Sequence, residues 1–260
     1  MTDLQPPASG VRSVRRAMAT LDFLAAAAPA AVRVTDVAGH LGLSLATASR
    51  LLATLADSGY ASRASERRFT VGPRSVMLAV DWVTRLRDAA AEPIARVRAA
   101  TGESIMLSQL LGDAVVPIAW RKPPGWPVEF AGKLAEHGPA VPLGATATGR
   151  AMLGKLPHSQ RARLLPPEPY PQFTERTMTT WSSLRQAIRD GERSGLHIEH
   201  GEADADLWCC ATALEPGPDG EVLALTVVAM GEPAARERAR ICRAMRRESQ
   251  NVGFLLSPAG

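Results

Sequence analysis

Cysteine is scarce in this chain. Three residues among 260, Cys209, Cys210 and Cys242, do not make a disulfide framework. That excludes the small secreted scaffolds that depend on one, and a reducing, cytoplasmic location is expected. Long apolar runs are missing too. Asp22 and Pro29 break the alanine-rich stretch, so no segment reads as spanning a bilayer, and no membrane partner is expected. Met1 to Gly10 has no basic head followed by an apolar block, so it reads as a polar tail rather than a secretory leader. No nucleophile elbow, phosphate loop or paired-carboxylate motif occurs, and neither catalysis nor a cofactor is expected.

What is present is ordinary in bulk and uneven in placement. Apolar residues make up 46% and charged residues 22%, as in a soluble globular protein. Of the 30 basic residues only Lys122, Lys133 and Lys155 are lysines. Residues 1–80 hold nine arginines against five acids, and the rest of the chain holds 21 of each sign. The whole net charge of +4 therefore lies in the first third. A local positive field of that kind attracts phosphate.

The stretch from Thr35 to Leu55 reads as two short helices joined by a turn at Gly42, with Thr35 as N-cap of the first and Ser44 of the second. In the second, Ala48, Leu51, Leu52 and Leu55 share a face suited to burial. Thr47, Ser49 and Arg50 fall on or near the opposite side, early in the helix. This is the layout of a helix-turn-helix, whose second helix enters the DNA major groove. There a hydroxyl or an arginine reaches base edges or phosphate. A preceding helix over 13–28 would turn Val14, Ala17, Leu21, Leu24 and Ala28 to the core. Tyr60 to Gly72 reads as a β-hairpin with Arg67 and Arg68 at its tip, poised for a minor groove or the flanking backbone. Together these make a winged helix-turn-helix with Ser44, Thr47, Ser49, Arg50, Arg67 and Arg68 as the DNA-binding set.

Pro73 to Ala100 reads as helical, with Pro93 opening a second segment. Its apolar stripe Val76, Met77, Val80 and Val83 suits pairing across a two-fold axis. Beyond Gly102 the period shortens. Strands are expected over 104–111 and 114–121 around Gly112-Asp113, then over 197–200, 208–215 and 221–230. Helices are expected within 142–156, 182–194 and 233–256.

Several of these segments carry a family likeness. The pieces are Arg50-Leu51-Leu52-Ala53-Thr54-Leu55, Gly59-Tyr60, Phe69-Thr70-Val71-Gly72-Pro73-Arg74, the run from Pro142 to Leu153, and Cys209 with its strand. In them the chain resembles the IclR family of bacterial transcriptional regulators over roughly Val11 to Leu256. The resemblance implies an α+β protein. Residues 1–10 are a tail, 11–73 a winged helix-turn-helix, 74–100 a helical linker and 101–260 a GAF-like α/β effector-binding domain. It further implies a homodimer or homotetramer that controls a catabolic operon by binding double-stranded operator DNA. A small organic or aromatic acid would be the effector. Carried over residue by residue, the effector positions are Ala147, Thr148, Gly149, Glu199, Cys209 and Thr226, with Trp120 and Met106 as apolar walls. The chain departs from the family pattern at Leu45-Ala46, where a Lys-Ser pair is frequent, at Gly144, where a histidine is usual, and at Val228, where a second hydroxyl is common.

Two other readings compete. His197, Glu199, His200, Cys209 and Cys210 are of metal-ligand type, which suggests a metal- or thiol-based sensor using His197 and Cys209. Strand alternation sends Cys209 and Cys210 to opposite faces and weakens that set. Cys209 with His197 as base would make a cysteine-dependent enzyme, against the commoner role of a free cysteine as a small buried hydrophobe.

Overall fold

In the computed structural model of the chain, residues 11–65, 67–126, 142–215 and 221–256 are described, side chains at 79, 81 and 250–256 excepted. The expected tail at 1–10 lies outside the described residues. The chain forms two compact units, residues 1–84 and 85–260.

In the first unit, α1 (Arg12–Ala27) precedes β1 (Val32–Arg33), α2 (Val34–His40), α3 (Leu45–Asp57), β2 (Ala61–Ser65) and β3 (Arg68–Val71). Leu24, Val37, Ala48, Leu52 and Phe69 form its core. The rear face of α3 is therefore what fixes that helix against the others. Gly42 takes φ +59, a left-handed conformation that a side chain would strain, and this lets the chain turn between α2 and α3. The three strands pair antiparallel in the order β1-β3-β2, with a bulge between Arg63 and Ser65 in the wing.

Two local expectations need correction. Thr35 is not the N-cap of α2. The helix starts at Val34 with Arg33 in the cap position, two residues earlier, and Asp36 accepts a hydrogen bond from the Arg33 amide at 3.0 Å. Val14 and Ala28 are exposed rather than buried, because both ends of the expected helix lie beyond the core that Thr20 and Leu24 enter.

The helix α4 (Pro73–Thr101) is continuous through Pro93, where a break was expected. The ring removes one backbone hydrogen bond there. Ala90, Ile94 and Val97 are buried on either side of it, and their packing holds the helix together. The second unit continues with β4 (Ser104–Leu111), β5 (Ala114–Arg121), α5 (Ala147–Lys155), α6 (His158–Leu164), α7 (Trp181–Ser194), β6 (His197–His200), β7 (Leu207–Ala213), β8 (Leu223–Met230) and α8 (Ala235–Leu256). Its strands form one five-stranded sheet in the order β5-β4-β8-β7-β6, every neighbour antiparallel. The protein is thus α+β. Helices α5 and α7 pack with Cys209, Ala211, Ala224 and Val228 on one face of the sheet. Because residues alternate along β7, Cys210 faces the other way. Helix α8 also packs on β7 and β8, burying Ile241 and Met245. Among the described residues no helix is long and apolar enough to cross a membrane.

Candidate functional site

Helix α3 presents two very different sides. Ala48 and Leu52 are fully buried, whereas Leu45, Ala46, Ser49 and Arg50 are exposed. Ser49 and Arg50 thus stand where the sequence placed them. Ser44 is exposed as well, Thr47 is half-buried, and the two meet each other. The Ser44 hydroxyl accepts from the Thr47 amide at 3.2 Å and lies 2.9 Å from the Thr47 hydroxyl. The Ser44 hydroxyl thus caps the helix, with the Thr47 hydroxyl beside it. Arg67 is exposed at the wing. Arg68 is exposed as well, but its guanidinium donates to the Ala31 carbonyl at 3.1 Å. That bond corrects the picture of two free arginines at the tip.

In the second unit, β-sheet register gathers residues far apart in sequence. Thr226 lies opposite Met106 on β4 and Ala211 on β7. Cys209 lies opposite Glu199 and Val228. Directly paired residues of antiparallel strands point to the same side, so Met106, Thr226, Cys209 and Glu199 share the face covered by α5. Trp120, opposite Met106, joins them. From the helix, the Thr148 hydroxyl meets that of Thr226 at 2.8 Å. Ala147, Thr148, Glu199, Cys209 and Thr226 are all buried, none more than 7% exposed.

At the start of α5 the Thr146 side chain accepts from the Gly149 amide at 3.1 Å, so one of the first amides of the helix is already satisfied. The smallness of Gly149 has a local reason. A Cβ there would lie 2.3 Å from the Leu143 carbonyl oxygen, and its smallness serves the approach of the helix to its own preceding turn. The amides of Ala147 and Thr148 remain the ones without a carbonyl one turn back.

Glu199 is held by the amides of Glu202 at 2.9 Å and Ala203 at 3.3 Å. Burial pushes its carboxyl above the usual range, while those amides and the Cys209 thiol, which donates to it, pull the other way. Burial and the neighbouring Glu199 push the Cys209 thiol well above its ordinary value. Such a thiol is protonated and unreactive. Burial, then Arg150 and Arg161, lower His197 to about 4. Its Nδ1 has no hydrogen-bond partner among the described residues. Cys209 is bonded to Glu199, not to this imidazole, which argues against a nucleophile–base pair. Among the described residues no three His, Cys, Asp or Glu side chains converge as a metal set would.

Three participants were missed. Arg150 is 1% exposed and makes a two-pronged pair with Glu202, at 2.5 and 3.2 Å, while donating to the Ile198 carbonyl at 2.7 Å. It thereby pins the turn after β6 under α5. A lone arginine inside the short small-residue run from Ala145 to Leu153 was a usable signal, but nothing local marked Glu202. Ser108 lies opposite Ala224 on the same face of the sheet, and its buried hydroxyl has no partner among the described residues. A groove of about 530 Å³ opens at the far end of α5, beside Lys155, His197, Glu215 and Arg246. None of the six expected effector residues lines it.

Two family models match the chain. The model described as IclR helix-turn-helix domain covers residues 13–65, and the one described as Bacterial transcriptional regulator IclR C-terminal covers residues 80–253. The chain belongs to the IclR family. It is therefore a transcriptional regulator with a helix-turn-helix DNA-binding domain and an IclR C-terminal ligand-binding domain, in a family of regulators rather than enzymes. The HTH-type transcriptional regulator Rv1719 of Mycobacterium tuberculosis is 26% identical over 84% of this chain and 82% of its own. An IclR regulator from Alicyclobacillus acidocaldarius superposes with a TM-score of 0.75 at 23% identity, covering 95% of this chain and 99% of that one. An IclR homologue from Microbacterium hydrocarbonoxydans, solved with 4-hydroxybenzoate, gives 0.75 at 19% identity over 94% and 98%. These two structures share the fold.

Proposed function

We propose that this IclR-family regulator binds operator DNA as a dimer or tetramer through α3 and the wing. We propose further that a small organic or aromatic acid, bound between α5 and the sheet, changes that affinity. The observation that carries the first part is the two-sided α3, with its rear locked into the core and Ser49 and Arg50 exposed. Arg50 is the residue for a guanine edge or a phosphate, Ser49 assists, and Arg67 with Arg68 reaches the flanking backbone. Apolar residues left exposed on the first unit support self-association: Val11 just before α1, Val14 and Met18 on it, and Val76, Met77 and Val80 on α4.

For the effector, the buried polar cluster is the support. Thr148, Thr226 and Ser108 offer hydroxyls, the amides of Ala147 and Thr148 favour an anion, and Met106 with Trp120 supplies apolar wall. The family relative holding 4-hydroxybenzoate fits a ligand of this chemistry. A carboxylate seated near Glu199 would meet a carboxyl already biased toward its neutral form by burial.

The test uses DNA from upstream of the protein's own gene in a binding titration, with and without a panel of organic acids. Arg50→Ala is expected to weaken binding by about 1–3 kcal/mol, roughly 5- to 150-fold. At least one acid should shift both the DNA affinity and the melting temperature, and Thr148→Trp should abolish both shifts. Unchanged affinity in Arg50→Ala would remove α3 from the groove. A panel without a thermal shift would remove the acid site.

A further inference from the structure

Side chains alternate along β4, so Ser104, Met106, Ser108 and Leu110 share the face that α5 covers. Most of them are engaged. The Ser104 hydroxyl accepts from the Trp120 indole at 2.6 Å, Met106 stands opposite Thr226, and Leu110 packs on the core cluster beneath α5. Ser108 is different. It is fully buried, and its hydroxyl has no partner among the described residues. Its strand partners are Ala224 on one side and Pro117 on the other, and neither side chain can bond a hydroxyl. A buried hydroxyl left in this condition is unfavourable, and alanine would fill the position without that cost. A second donor shares the condition. The Trp126 indole nitrogen is buried without a partner among the described residues, and its ring packs on the same core cluster.

Ser108 also has a defined place relative to the threonine pair. Thr226 lies opposite Met106, and Ser108 is two residues further along β4. The two are thus diagonal neighbours, about 7–8 Å apart between Cα atoms. That span is close to the one between a carboxylate and the opposite substituent of a benzene ring, or between the two ends of a short saturated chain. We propose that the acid held between α5 and the sheet carries a second, uncharged oxygen at the end away from its carboxylate, and that Ser108 is the residue that selects for it. This rests on the reading that the carboxylate meets Thr148 and Thr226.

The chemistry around Ser108 narrows the class. A serine hydroxyl both donates and accepts, so a hydroxyl or a keto oxygen satisfies it. A methyl group of similar size does not, and a site built to bond a hydroxyl discriminates against the analogue that lacks one. A second carboxylate is excluded for another reason. Met106, Leu110, Ala224 and Pro117, the neighbours of Ser108 along and across the strands, carry no charge. A carboxylate brought there would be buried with no counter-ion beside it. The class is therefore the hydroxy- or keto-substituted monocarboxylic acids, rather than plain acids or dicarboxylic ones.

The experiment titrates the full chain calorimetrically with matched acids. The ring series is benzoate bearing a hydroxyl, a methyl or a second carboxylate at the para position. The open-chain pair is valerate with a terminal hydroxyl and caproate. In the wild type the hydroxyl compound of at least one series should bind about 3- to 10-fold more tightly than its methyl counterpart. The dicarboxylate should bind more weakly than both. In Ser108→Ala the hydroxyl and methyl compounds should bind nearly equally. Without ligand this variant should melt at or above the wild-type temperature, because it loses only an unpaired hydroxyl. The inference alone is overturned by a methyl compound that binds the wild type as tightly as the hydroxyl compound, by a preference that persists in Ser108→Ala, or by a Ser108→Ala protein that melts well below the wild type. If no acid binds, or if binding survives Thr148→Trp, the carboxylate seat itself is overturned and the inference falls with it.

Discussion

The two units use their polar residues in opposite ways. On α3 the residues proposed to meet DNA come from one short segment and stand in solvent. In the second unit the residues proposed to meet an effector come from α5, β4, β5, β6, β7 and β8, and all but Trp120 are buried. A helix that reads a stiff polymer needs only an anchored back, so its front is nearly independent of the fold. A buried site has no such freedom. Each buried polar group left without a partner costs about 1–3 kcal/mol, so the site must be hydrogen-bonded even when empty. Thr148 with Thr226, Cys209 with Glu199, and Glu199 with two amides satisfy that requirement, and Ser108 is the exception.

Substitutions test this contrast directly. The largest effect is expected from Arg150→Ala, which strands Glu202 in the interior. Chemical denaturation should show a loss of about 3–5 kcal/mol, against less than about 0.5 for Ser49→Ala on the exposed face of α3. Comparable losses at the two positions would erase the distinction.

Acid should also act on the second unit. His197 binds a proton near pH 4 when folded and near 6.5 when unfolded. Between those values the unfolded chain holds the extra proton, so stability is intact above the upper value and falls as the pH drops. The contribution of this group should fall by about 2 kcal/mol from about pH 7 to about pH 5, and His197→Gln should flatten that part of the slope. A wild-type denaturation curve insensitive to pH in this window would mean that the imidazole is more open than its burial indicates.

A smaller effect should come from the cap in the first unit. Ser44→Ala removes the α3 cap and should cost about 1 kcal/mol, with DNA affinity falling only as far as the helix start frays. A loss of affinity as large as that of Arg50→Ala would make Ser44 a direct contact and extend the reading head by one residue.

What the sequence disclosed follows the same division. Gly42, Ser44 and the spacing of Ala48, Leu52 and Leu55 are local signals, and the helix-turn-helix was legible from them. So was the hairpin around Gly112-Asp113, since its two strands are adjacent in the chain. The pairing of β4 with β8, which sets Met106 opposite Thr226, depends on the whole sheet and had no local mark. The same holds for Arg150 with Glu202. Helix α6 escaped notice because none of its residues is buried, so it lacks the apolar period that reveals a helix. Pro93 misled for the converse reason: burial around it outweighs the local preference to break. For the family resemblance, all six effector positions are buried, and at Gly149 the close Leu143 carbonyl gives the glycine a packing reason as well.

The hydroxyl pair of Thr148 and Thr226 has a consequence for which molecules the second unit accepts. Each hydroxyl is the other's partner. An effector of the kind proposed that wedges them apart must offer both a replacement at once. A carboxylate, with two acceptor oxygens a fixed distance apart, is able to receive both protons, one on each oxygen. The matching alcohol or aldehyde must serve both threonines from a single oxygen, whose bonding directions are set by its own geometry. Selection among close analogues would then be a matter of where their acceptors stand, with the rejected analogue excluded less by its size than by the bond it fails to give back.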